Sequence, residues 1–126
     1  MRQTFGKYER LKSKKRIDEL FASGNYLAEG PIKLIYKFVE FDSPYPAMAG
    51  VTVPKSVYKR AVDRNRFKRY MRESYRKNKA DLYEHLRTKE LQCTLMFILR
   101  GKDPLDHAQV EKKISALLRR LLRENA

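Results

Sequence analysis

Tryptophan is absent from this chain, cysteine occurs once, and no apolar run approaches the length needed to cross a bilayer. A spanning helix needs about 20 consecutive apolar residues, and the longest stretch here, around Leu91–Leu99, is about one strand long. The N-terminus, Met1-Arg-Gln-Thr-Phe-Gly-Lys, has no apolar signal core. These absences set the expectation of a soluble, unexported, cytoplasmic protein. Cys93 has no second cysteine to pair with, and in Leu91-Gln-Cys-Thr-Leu-Met-Phe a small buried thiol is ordinary packing. Without tryptophan, a basic amphipathic helix would insert weakly into a membrane. Acids are scattered, so no Asp/Glu group suggests a two-metal nuclease. There is no P-loop, no glycine-rich dinucleotide turn and no zinc-ligand spacing. His85 and His107 lie on or near helical stretches beside charged residues, with no acid or nucleophile placed to partner either.

What is present is positive charge on a chain able to build a core. The 126 residues fit one domain, read here as 1–126 with residues 1–12 a basic, partly flexible lead. A hydrophobic share of 42% argues against a disordered basic tail. Lysine and arginine number 29 against 15 acids, a net charge of +14. The excess is confined. Residues 55–79 hold 11 basic and 2 acidic side chains, residues 1–16 hold 7 and 1, and the remainder 11 and 12. Like charge concentrated in this way repels itself unless a polyanion neutralises it, which points to nucleic acid first and an anionic membrane second.

Periodicity then places the elements. Ser13 is a suitable N-cap for a helix to Ser23, with Ile17, Leu20 and Phe21 on one face and Gly24 as the stop. Tyr26-Leu-Ala28 is a short extended piece leading to Gly30-Pro31. From Ile32 to Phe41 the pattern alternates, Ile32, Leu34, Tyr36 and Phe38 one way and Lys33 and Lys37 the other. Asp42-Ser-Pro-Tyr-Pro46 is a turn, and Met48–Val53 a second strong strand. A long helix follows from about Arg60 to Lys79. At 100° per residue Phe67, Met71 and Tyr75 share its packed face, while Asn65, Arg69, Arg72 and Arg76 form a second stripe. Arg64 and Lys68 fall at the edge of the apolar side, where stems can cover the core while heads stay wet. Leu91–Leu99 is a buried strand and Arg100-Gly-Lys-Asp-Pro104 a turn. The last helix starts near Asp106, with Gln109 completing a capping box and Val110, Ile114, Leu117, Leu118, Leu121 and Leu122 its apolar stripe. The fold class expected is an α/β (α+β) two-layer sandwich of order αβββαβα, a mixed sheet packed by helices.

The most informative segment is Ala61-Val-Asp-Arg-Asn-Arg-Phe-Lys-Arg-Tyr-Met-Arg-Glu73. Cations along one stripe can track a phosphate backbone, arginine adding planar bidentate donors. Asn65 supplies both a donor and an acceptor for sugar hydroxyls or base edges. An ordinary surface helix interleaves acids for pairing, and this one has Asp63 and Glu73. With the preceding Gly50-Val-Thr-Val-Pro-Lys-Ser-Val-Tyr-Lys-Arg60, the stretch resembles the signature of bacterial ribonuclease P proteins. The family pattern there is Ala-Val-x-Arg-Asn-Arg, an apolar residue, Lys-Arg, two apolar residues and Arg-Glu. Arg10-Leu-Lys followed by Ile17–Phe21 and Gly24 resembles the family's first helix, and the likeness covers about residues 8–122. Three departures stand out. Ile17 replaces a frequent Phe, Pro54 and Ser56 replace a Ser and a Lys, and the loop from Val57 to Arg60 is one residue longer and lacks the usual Gly.

The resemblance implies a left-handed βαβ crossover, an exception to the usual handedness, and a role as protein subunit of an endoribonuclease whose catalytic centre lies on RNA. It implies two partners, the catalytic ribonuclease P RNA and precursor tRNA with its 5′ leader, with no DNA and no membrane. Mg²⁺ would be held mainly by the RNA, and none tightly by the protein. Matched residue by residue, Arg64, Asn65, Arg66, Lys68, Arg69 and Arg72 would face RNA and Lys55 matches the first basic residue after the strand; Lys59, Arg60 and Arg76 are expected to bind RNA beside them. Ile17, Phe21 and Tyr36 would line a cleft for the leader, where aromatic rings stack on bases; core packing is the alternative for Phe21 and Tyr36. Two rivals share parts of this reading. A different structured-RNA protein would show no preference for a 5′ extension, and an autonomous endonuclease would cleave without RNA.

Overall fold

A computed structural model describes residues 5–102 and 105–124. Its elements are a short 3₁₀ turn (Lys7–Glu9), α1 (Lys14–Ser23), β1 (Asn25–Glu29), β2 (Ile32–Phe38), β3 (Ala47–Thr52), α2 (Ala61–Asn78), α3 (Ala80–Thr88), β4 (Cys93–Leu99) and α4 (His107–Glu124). The strands form one mixed sheet in the order β1-β2-β4-β3. β1 and β2 make an antiparallel hairpin, β2 pairs antiparallel with β4, and β3 runs parallel to β4. A parallel neighbour needs a crossover, and α2 with α3 provides it.

Local chemistry accounts for the boundaries. The Ser13 hydroxyl accepts the Arg16 N–H at 3.4 Å, and the Gly24 N–H donates to the Leu20 carbonyl at 2.8 Å, so both ends of α1 are closed as the pattern predicts. The β1–β2 turn begins at Gly30, whose φ of 58° suits glycine. At α4, Asp106 Oδ1 accepts the Gln109 N–H at 2.8 Å and Gln109 Oε1 accepts the Asp106 N–H at 2.9 Å, the expected reciprocal cap. Asp103 and Pro104 of the preceding turn lie outside the described residues. One helix was not anticipated. After α2 ends, Lys79 keeps a helical conformation and the chain re-enters a helix as α3, burying Leu82, Tyr83 and Leu86. Asn78 and Ser74 bond their side chains to backbone carbonyls one turn back, at 2.7 Å each, which competes with a straight continuation of α2.

The sheet separates two cores. Ile32, Leu34 and Tyr36 of β2 and Cys93, Leu95, Phe97 and Leu99 of β4 face α2, α3 and α4. Ile35, Met96 and Ile98 point the other way, under Leu20 of α1. The body is therefore a sandwich of the sheet on three helices, with α1 laid across part of the opposite face. β4 is buried on both faces, which is why Leu95–Leu99 reads as an apolar run rather than an alternating one. Of the α4 stripe, Val110, Ile114, Leu117, Leu118 and Leu121 are buried and Leu122 half-buried.

The lead touches the body at particular residues: Glu9 and Leu11 are buried, Arg10 bridges to Ala49, and the Leu11 N–H donates to the Ala49 carbonyl at 2.9 Å, while Lys7, Tyr8, Arg10 and Lys12 are exposed. Residues 1–4 of the expected lead lie outside the described residues.

Candidate nucleic-acid interface

The charged helix α2 is held by its apolar side. Phe67, Met71 and Tyr75 sit in the main core at 3% exposure or less, so rotation about the helix axis would expose them. That anchoring turns Asn65, Arg66, Arg69 and Arg72 to solvent, with Arg76 and Lys68 half-buried beside them. The two acids of α2 each lie near a basic side chain. Asp63 lies 3.6 Å from both Arg60 and Arg66, and Glu73 turns toward α4, its Oε2 3.5 Å from His107 Nε2. His107 stacks on Tyr70 with ring centres 4.8 Å apart. The solvent-facing Asp63 pairs hold little energy, about 0–1 kcal/mol each, so an incoming phosphate competes with them easily.

Arg64 behaves differently from its neighbours. Its Nη1 donates to the carbonyls of Tyr58 (3.0 Å) and Lys59 (2.6 Å), so the head that the pattern leaves wet is bonded to the loop before α2. The longer loop places two carbonyls at the start of the helix, and they need donors. Pro54 starts that loop by accepting N–H bonds from Val57 (3.0 Å) and Tyr58 (3.2 Å). Tyr58 packs on Phe67 with ring centres 4.9 Å apart and donates its hydroxyl to the Lys102 carbonyl. The loop that exposes Lys55, Lys59 and Arg60 is thus tied at several points, and Arg64 is one of its ties.

Beside α2 lies a groove of about 410 Å³. Its floor is β3 and Met96, one wall is Ile17 and Phe21 of α1, and the other is the lead with Phe5, Arg10, Leu11 and Lys12. Phe21 is 40% exposed and stands outside the cluster beneath α1, whereas Ile17 packs partly into it. Tyr36 is not in the groove, which corrects the sequence reading. It is 5% exposed, faces the α2–α4 side and meets Phe38 edge-on at 5.9 Å. Alternation put it with Ile32 and Leu34, and that face belongs to the larger core; the residue of β2 turned toward α1 is Ile35.

A second, smaller hollow of about 240 Å³ is framed by Arg69, Arg72, Glu73 and Arg76 together with Phe5 and Arg10. Phe5, Arg10 and Arg72 line both hollows. The apolar groove and the cationic row therefore meet in one surface, with a ring and two guanidinium groups at the junction. Sequence reasoning missed Phe5 and Arg10 because their place depends on the docking of the lead. Their one signal was apolar Phe5 and Leu11 inside a basic run.

Other titratable groups lie apart from this surface. Burial pushes the Cys93 thiol up to about 12, so it is uncharged and unreactive at neutral pH. The described residues hold no group of three or more His, Cys, Asp or Glu side chains placed for a metal ion, and none of their helices is long and apolar enough to cross a membrane.

A row of cations beside a groove with Phe5 and Phe21 in its walls defines a class: an α+β protein with a cationic face suited to a nucleic-acid backbone. Comparison with known proteins narrows it. The family model for ribonuclease P matches residues 5–122. A ribonuclease P protein component from Porphyromonas gingivalis is 34% identical over 121 residues, covering 94% of this chain and 88% of its own. One from Petrotoga mobilis is 32% identical over 124 residues, covering 94% and 96%. Among solved structures, the Thermotoga maritima RNase P protein superposes with a TM-score of 0.66 at 22% identity, over 89% of this chain and 96% of that one. The Staphylococcus aureus protein gives 0.65 at 19%, over 90% and 94%. The chain belongs to the ribonuclease P protein family, the RNA-binding subunit that helps the RNA of this endoribonuclease carry out 5′ processing of precursor tRNA.

Proposed function

We propose that this chain grips the ribonuclease P RNA with the α2 row and the single-stranded 5′ leader of precursor tRNA with the groove, in the cytoplasm. The supporting observation is the continuity of the two surfaces through Phe5, Arg10 and Arg72. A leader running along the groove passes from the Phe21 ring, with Ile17 as apolar wall beside it, to guanidinium groups. The cations at Lys55, Lys59, Arg60, Arg66, Arg69 and Arg72 then neutralise phosphates that crowd where the two RNAs meet, while Asn65 hydrogen-bonds sugar hydroxyls or base edges. Lys68 and Arg76 flank that row, and Arg64 holds the loop in place.

In this reading the protein acts by differential binding and positioning. Mature tRNA lacks the leader, so the groove favours substrate over product; each stacked base adds about 1–3 kcal/mol. The catalytic centre is on the RNA and Mg²⁺ is held mainly there. The acids of α2 face Arg60, Arg66 and His107, so no step is assigned to an ion on this chain. The test is reconstitution of the full chain with ribonuclease P RNA at low Mg²⁺. Cleavage at the mature 5′ end should rise on adding protein, and precursor should bind more tightly than mature tRNA. Activity of the protein without RNA, or equal affinity for the two tRNAs, would overturn the reading.

A further inference from the structure

Two charged residues seventy positions apart are almost wholly buried: Glu9 is 1% exposed and Lys79 4%. Lys79 Nζ donates to Glu9 Oε1, the Tyr83 hydroxyl donates to the same oxygen at 2.6 Å, and the Gly6 N–H donates to Oε2 at 2.9 Å. Burial alone would raise the Glu9 carboxyl, but the bonds from Lys79, Tyr83 and Gly6 and the Lys79 charge bring it below the ordinary range. Burial pushes the Tyr83 phenol up, so it serves as a neutral donor. The cluster is capped by Phe5, whose ring lies 5.9 Å from Lys79 Nζ and edge-on to Tyr75 at 5.4 Å.

The position of this cluster is what gives it a role. Lys79 is the residue between α2 and α3, and Glu9 closes the 3₁₀ turn. The next residues along the chain, Arg10 and Leu11, are fastened to Ala49 on the edge of β3. The lead is therefore fixed at two points, and Phe5, Arg10 and Leu11 around them form one wall of the groove. A pair of apolar side chains would hold the segment at least as firmly, because desolvation offsets much of the attraction within a buried ion pair. Apolar contact, however, tolerates a shifted register. A carboxylate that must meet an ammonium and a phenol together does not, since any shift takes the buried Glu9 carboxylate away from these donors.

We propose that Glu9, Lys79 and Tyr83 are positioning residues for RNA binding: they lock the lead in one register against the α2–α3 junction and so set the wall of the groove that takes a single strand. This rests on the reading of the groove as the leader site. The row on α2 does not depend on it.

The experiment compares the full chain with Glu9→Gln, Lys79→Met and the double variant, each reconstituted with ribonuclease P RNA. Two quantities are read: the ratio of affinities for leader-bearing and mature tRNA, and amide hydrogen exchange at Leu11. Each single variant should speed exchange at Leu11 while β4 amides stay protected, and should lower the affinity ratio by about tenfold, the weight of one stacked base. The double variant should lose little more than either single one, as members of one pair do. A wild-type ratio kept in the variants, whether or not Leu11 exchanges faster, overturns this inference and leaves the leader reading standing. A wild-type protein without preference for the leader overturns both. Should Glu9→Gln fail to fold, Glu9→Leu with Lys79→Met removes the charges without leaving one stranded; the same loss of ratio is expected, and an unchanged ratio counts against the proposal.

Discussion

The two basic segments, residues 1–16 and 55–79, look alike in composition and are built on different principles. In α2 the cations stand outward and the order comes from within the element: Phe67, Met71 and Tyr75 bury one side, and the helical repeat turns Asn65, Arg66, Arg69 and Arg72 to solvent. In the lead the deciding charge points inward. Glu9, the single acid of residues 1–16, takes its partners from residues 79 and 83, and Arg10 beside it bridges to Ala49 of β3. One surface is written into a local repeat and the other is assembled from distant pieces. Charge density alone does not distinguish them; the partner of each charge does.

Breaking the buried pair should have the largest effect on stability. Glu9→Ala leaves Lys79 without its carboxylate in a buried site and should cost about 3–5 kcal/mol, read by urea unfolding at neutral pH. The sign with pH follows from the lowered Glu9 carboxyl. Its stabilising contribution is fully present above the ordinary value of 4.5 and is lost as pH falls through the lower folded value. Wild type should lose this contribution on acidification, and Glu9→Gln, which does not titrate, should lack that part of the slope. Parallel slopes would mean that Glu9 is not held in this environment.

Removing charge from the outward row should move affinity and not the fold. Arg69→Ala with Arg72→Ala should weaken RNA binding by about 2–3 kcal/mol and reduce the salt slope by about 2. Unfolding midpoints should stay near wild type, since both side chains are exposed. An unchanged salt slope would remove these two residues from the interface.

The smallest expected effect separates the two aromatic residues that sequence reasoning placed together. Phe21→Ala should reduce affinity for precursor tRNA by about 1–3 kcal/mol, with little change for mature tRNA. Tyr36→Ala should behave as a core deletion, lowering stability and showing no selectivity between the two RNAs among folded molecules. Equal losses for the two tRNAs in Phe21→Ala would make that ring a packing residue after all.

Much of the fold was open to inspection in the chain itself. Ser13 and Gly24 bracket α1, Asp106 and Gln109 start α4, and the runs from Ile32, Met48 and Leu91 mark strands to within a few residues. Each of these signals acts between near neighbours. The Arg64-Asn65-Arg66 segment was legible for the same reason, although the bonding of Arg64 to the loop carbonyls was not. α3 was missed because it follows α2 directly at Lys79, without a glycine or proline to announce a new element.

What the sequence determined by itself was the set of elements with strong local periods, the site of the excess charge, and the outward row on α2, because caps and helical repeats depend on residues within a turn or two. Only the tertiary structure decided which face of β2 meets α1, and so placed Tyr36 in the core. It also joined Phe5 and Arg10 to Arg72, and buried Glu9 against Lys79. Those outcomes depend on contacts between residues tens of positions apart, which a local pattern cannot encode and which form only when the sheet, α1 and the α2–α3 junction pack together.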